Sequence, residues 1–212
     1  MSGPKRADVR RVLDSAGRLR GACVGLLASF EDAATQKHLF DICEQLRHLD
    51  ETVRAGRERL SRIGERERTY CPDELEAVGG ALENRAQSAA HIRESLRVLS
   101  AEQADVQKDA ARVSEAFRSA EEAFRTAEEA LSRSEGEHGL HAQKALADDA
   151  FAKLKGAEAA AKAVMARRGR LQTSAMNCSR QIHGAEEAGR VESGALERIG
   201  DEASRRERAA RE

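Results

Sequence analysis

Tryptophan is absent from this sequence, proline occurs twice, and aromatic residues make up 3% of its 212 positions. Ordinary globular cores draw much of their buried area from aromatic rings, and loop-rich domains are punctuated by proline. Neither description fits. Cysteine is sparse: Cys23, Cys43, Cys71 and Cys178 are far apart and form no CxxC pair. That argues against a zinc module or a secreted disulfide framework, and for free thiols in a reducing, cytoplasmic setting. Excess charge is missing too, because 36 basic residues face 37 acidic ones, for a net charge of -1. No global field draws the chain to nucleic acid or to an anionic bilayer.

Other absences narrow function further. No stretch approaches the roughly 20 apolar residues of a membrane span. Basic residues do precede the mildly apolar run 21–30. Charge within that approach and a weak apolar centre argue against a secretory signal. There is no P-loop, GxGxxG, GxSxG or HExxH motif, and arginine-rich stretches such as 54–68 and 205–211 carry interleaved glutamates instead of aromatics for base stacking. The expectation is a chain with no catalytic residues, no cofactor, no metal and no small-molecule substrate, for which nucleic acid is an unlikely partner.

What the sequence does contain is a seam. From Leu75 to Leu131 an alternating 3–4 spacing passes through Val78, Leu82, Ala89, Ile92, Leu96, Leu99, Val106, Val113, Phe117, Phe124 and Ala127, interrupted only by Arg85 and Gln103. Such a pattern keeps one helix stripe buried against partner helices. A second seam begins at Leu140 and runs through Leu154, Val164, Leu171, Ile182, Leu196 and Ile199, with Arg168, Gly189 and Glu192 among its members. Upstream, Val9, Val12, Ala16, Leu19, Cys23 and Leu26 follow the same rule. It restarts at Leu39, Ile42, Leu46 and Leu49, displaced by two residues, which is about 200° of helix rotation. No proline or glycine lies in 31–38, so the expectation is a helix that stays continuous or merely bends.

The chain therefore predicts an all-α fold: one domain over 1–212, an elongated up-down-up bundle of three long helices, about 5–69, 72–134 and 140–209, with coiled-coil heptad packing. Pro72, Asp73 and Glu74 suit a first helical turn, since proline loses no needed donor there and acids complement the dipole. Residues 135–139 (Glu-Gly-Glu-His-Gly) read as a connection. His138 and His141 with Glu135 and Glu137 are the only cluster of metal-ligand types, and a polar turn explains them better than a site lacking a third convergent donor. The outline is similar to that of spectrin-type repeats and of membrane-shaping hairpins such as BAR domains, and no motif identifies a family.

Three sets of residues stand out. Folding the second and third helices about the turn brings Gln103 level with Arg168 and Arg85 against Gly189, within a turn of Glu192. An Arg85–Glu192 pair follows, with glycine making room for the guanidinium. Lys5, Arg6, Arg10, Arg11, Arg18 and Arg20 form a basic surface on a helix whose other face is apolar. Cys43 and Cys178 fall level if the first and third helices run parallel, so both thiols should be partly buried and could face each other. The expected function is a non-catalytic scaffold or adaptor, bound to a protein partner or to itself. The alternative is a peripheral protein holding an anionic membrane surface through its basic first helix.

Overall fold

The structure, a computed structural model, describes residues 4–31, 33–133 and 139–212. All regular structure among them is helical: α1 (Arg6–Ala28), a 3-10 turn at Ser29–Glu31, α2 (Ala33–Ser61), α3 (Glu65–Tyr70), α4 (Pro72–Arg133) and α5 (Leu140–Arg211). Most of the turn expected at 135–139, with His138 and its acidic neighbours, lies outside the described residues. Gly139 lies within them and adopts φ 90°, a left-handed backbone that glycine reaches without steric cost. Its carbonyl accepts from the Gln143 N–H at 3.0 Å as α5 begins.

The first leg differs from the continuous helix expected over 5–69. It is broken twice. At Ser29 the α-helix tightens into a 3-10 turn, and the unpaired carbonyl this leaves is met by the Arg168 guanidinium, which donates to Ser29 O at 2.5 Å. The break absorbs the two-residue shift in the apolar frame, so α1 and α2 each keep their stripe facing inward instead of one helix presenting opposite faces. At the second break, the Ile63 N–H donates three residues back, to Leu60 O at 3.3 Å, and Gly64 opens α3 in an extended conformation (φ -75°, ψ 172°). Pro72 stops α3 and starts α4, because its ring disfavours helix at the preceding residue while its missing N–H is harmless at a first turn. Cys71 accordingly leaves helical geometry (φ -136°, ψ 48°).

The chain divides into two compact units. Unit 1 comprises Met1–Ala33 and Glu102–Leu171. In its core, Val9, Leu13 and Ala16 of α1 meet Phe117, Ala120 and Phe124 of α4 and Ala147, Ala150 and Leu154 of α5. Alanine dominates the α5 face, so helix backbones lie close and the phenylalanine rings fill what remains. A Cβ at Gly17 would sit at ordinary contact distance, 3.8 Å, from the Phe124 ring. Gly21 and Gly25, on the same helix face by spacing, meet nothing within 4 Å and are exposed.

Unit 2 comprises Ala34–Ala101 and Gln172–Glu212. Ile42 and Leu49 of α2, Leu82 and Ile92 of α4 and Ile182 of α5 are fully buried. Toward the α3 junction, Cys71, Val78, Leu196, Ile199 and Ala203 form a cluster, with Leu60 and Tyr70 packed against it. Branched aliphatic side chains replace the alanines of unit 1.

Candidate functional site: a buried polar layer in unit 2

Midway along the apolar seams of unit 2 lies a layer that is not apolar. Arg85 of α4 and Glu192 of α5 are buried, with 7% and 8% of their side chains exposed, and the Arg85 Nη1 donates to Glu192 Oε2 at 2.7 Å. Thr52 of α2 completes the layer. Its hydroxyl accepts from Arg85 Nη2 at 3.0 Å and donates to the Leu49 carbonyl at 2.8 Å. Three helices thus meet through one guanidinium, whose planar fork suits two acceptors at once. The Arg85 Nε is buried with no hydrogen-bond partner among the described residues.

The glycines around this layer make it possible. A Cβ built at Gly189 would overlap the Arg85 guanidinium carbon and both terminal nitrogens, so a side chain there would push the guanidinium from the position in which it meets Glu192 and Thr52. A Cβ at Gly56 would come within 2.6 Å of a Leu82 methyl. Two grooves flank the layer. One, about 860 Å³, runs along α4 and α5 past Asn84, Ser88, His91, Gly184 and Ala188, and the other, about 550 Å³, passes His48, Thr52, Gly56, Gly189 and Gly194.

The Gln103 and Arg168 pairing expected from the same register does not form through the amide oxygen. Gln103 Oε1 is buried without a partner among the described residues. Arg168, itself buried, is directed to the Ser29 carbonyl, a need that arises only because the first leg breaks there. A neighbouring turn repeats the theme in unit 2, where Gln172 Nε2 donates to the buried Thr35 hydroxyl at 3.0 Å.

The basic residues at the start of the chain are engaged at home only in part. The Lys5 backbone N–H donates to the Asp8 carboxylate at 3.1 Å, Arg6 donates to Leu131 O at 3.1 Å, and Arg18 donates to Ser15 Oγ at 3.0 Å. Arg11 is 3.9 Å from Asp8, while Arg20 pairs with Glu121 at 3.0 Å and lies over the Phe124 ring. Lys5, Arg6, Arg10, Arg11 and Arg18 all remain exposed.

The thiol pair needs correction. All four cysteines are free, and Cys43 is exposed while Cys178 is buried. Ile42 points fully inward, and the next residue on an α-helix is turned by about 100°, so adjacency to a seam carried Cys43 out of the core. Burial raises the pKa of the Cys23, Cys71 and Cys178 thiols, which suits small apolar fillers. Two of them donate weakly to carbonyls, Cys23 to Leu154 O and Cys71 to Ile199 O.

Two structural partners had little sequence signal. Thr52 sits beside the seam residue Val53 and reads as a boundary position. Arg206, in a tail expected to fray, donates to the Tyr70 carbonyl at 2.7 Å and to Glu74 at 2.6 Å, tying the end of α5 to the α3–α4 junction. Glu74 is held below the usual carboxylate range, first by its own backbone N–H and then by Arg206. Among the described residues no group of three histidine, cysteine or acidic side chains could hold a metal ion, and no helix is long and apolar enough to cross a membrane. No family model and no curated protein matches the chain.

Proposed function

We propose that this protein is a non-catalytic helical scaffold or adaptor that works by self-association or by binding another protein, with its three legs packed up-down-up through heptad seams. The observation that carries this reading is the disposition of apolar side chains. The seams are consumed within each unit, yet large hydrophobic residues stand on the outer faces of otherwise charged helices: Phe40 is 66% exposed, Val191 64% and Val98 57%. An isolated aliphatic on a surface is ordinary. A phenylalanine so exposed, in a chain with few aromatics, is the side chain most suited to anchor a partner. The surrounding helices carry alternating charges paired at one-turn spacing, such as Arg47 with Glu44 and Glu51, which limits contact to chosen points.

The test is a concentration series in sedimentation equilibrium on the full chain and on Phe40→Glu. Self-association predicts a mass that rises with concentration and stays monomeric in the variant. A strictly monomeric wild type that also retains no partner through Phe40 in co-purification would overturn the reading. The same samples test the architecture, because a three-legged bundle requires circular dichroism dominated by helix and a hydrodynamic radius well above that of a globule of this mass.

The membrane alternative draws on Lys5 and on Arg6, Arg10, Arg11 and Arg18 of α1, all exposed. Against it, the apolar face of α1 that would enter a bilayer is spent in the core, where Val9 and Ala16 have no exposed surface. Binding would have to be electrostatic alone, which falls steeply with salt. Co-sedimentation with anionic vesicles at two salt concentrations separates the two readings.

A further inference from the structure

Along α5, hydrophobic anchoring is uneven. Between Ala147 and Val164 a buried apolar residue recurs every three or four positions. Between Ile182 and Leu196 none does, and the only buried residues there are Gly189 and Glu192. Nearly four turns of helix in unit 2 therefore lie on α4 and α2 with no fully buried apolar side chain of their own, Ala185 and Ala195 being only partly buried. Three glycines fall within the same stretch, each less favourable to helix than alanine. Gly184 and Gly194 have nothing within 4 Å of where a Cβ would be, so no close packing requires them. Grooves of about 860 and 550 Å³ flank the stretch on both sides.

Local stability follows buried apolar contact, and segments without it open independently of the rest of a fold. Here one interaction replaces that contact: Glu192 held by the Arg85 guanidinium, which Thr52 also engages. We propose that residues 183–195 form a detachable segment of unit 2, latched by the Arg85–Glu192 pair and not by hydrophobic burial. Releasing the latch uncovers the face of α4 that carries Leu82 and Ile92, the residues that border the two grooves. This goes beyond the scaffold reading and does not depend on it, since it concerns only how one helix is held.

Hydrogen exchange on the full chain, read by mass spectrometry at neutral pH, decides the matter. The expected result is exchange of amides 184–194 about tenfold or more faster than amides 150–164 of the same helix and than those from Leu196 to Ala203. Glu192→Gln should speed exchange in 184–194 and leave 150–164 unchanged. The Gly184→Ala, Gly194→Ala pair should slow it locally by about tenfold or more, because each alanine favours helix over glycine and meets no clash. Equal protection along α5, or an alanine pair that slows every segment alike, would overturn the proposal. If Glu192→Gln unfolds unit 2 outright, the alanine pair still decides.

Discussion

Arg85 and Glu192 were legible because they break a rule. A charge inside an apolar seam must find an opposite charge or pay a large desolvation cost, so each predicts the other, and Gly189 predicts the space between them. Thr52 was not legible, because threonine at a seam edge is common and its partner lies in a different helix. Cys43 shows the limit of such reasoning: one position of error along a helix turns a side chain from core to solvent. The layer makes a definite claim on energetics. Replacing Glu192 alone with leucine leaves the Arg85 guanidinium buried and unpaired, and should cost about 3–5 kcal/mol in denaturant unfolding. Arg85→Leu together with Glu192→Leu should cost far less, or stabilise, because hydrocarbon fills the layer. Additive single and double effects would mean the two side chains are not coupled.

For whole elements, the seam from Leu75 to Leu131 reads as one helix and α4 runs unbroken from Pro72 to Arg133. The first leg was harder. Its phase shift of two residues was visible, but nothing in the local chemistry marked a break, since the interruption is sustained from outside by an arginine of α5 reaching the Ser29 carbonyl. Glycine positions within the helices also divide by tertiary context that spacing cannot show. Gly25 and Gly156 meet nothing within 4 Å, whereas Gly56 lies against Leu82. Alanine at Gly25 or Gly156 should therefore raise stability by about 0.5–1 kcal/mol each. Alanine at Gly56 should lower it, since the Leu82 methyl must shift within a buried layer. Thermal or urea melts of the three single variants, measured side by side, check the sign of each.

At the scale of the molecule, the second break leaves residues 62–64 between α2 and α3 outside the regular helix, with Arg62 and Gly64 exposed. Arginine is frequent throughout the chain, but between the end turns of α4 and of α5 it sits within continuous helix that a protease cannot thread without unfolding. Limited trypsin digestion should make its first internal cut after Arg62, seen as fragments 1–62 and 63–212 by mass spectrometry. A first cut inside α4 would contradict the assignment of this junction as an accessible site.

The division into units also sets an order on assembly. Unit 1 takes one contiguous stretch from the middle of the sequence, Glu102–Leu171, besides Met1–Ala33, whereas unit 2 draws on Ala34–Ala101 and Gln172–Glu212, which that stretch separates in sequence. On the ribosome, everything from residue 102 to 171 must be made before the final leg of unit 2 begins to emerge. At about 5–20 residues per second that is roughly 4–14 s, during which Leu49, Leu82 and Ile92 have no α5 to cover them. The nascent chain thus leaves the apolar stripes of α2 and α4 without their α5 cover for seconds, an interval in which a chaperone or a co-translationally bound partner could occupy them.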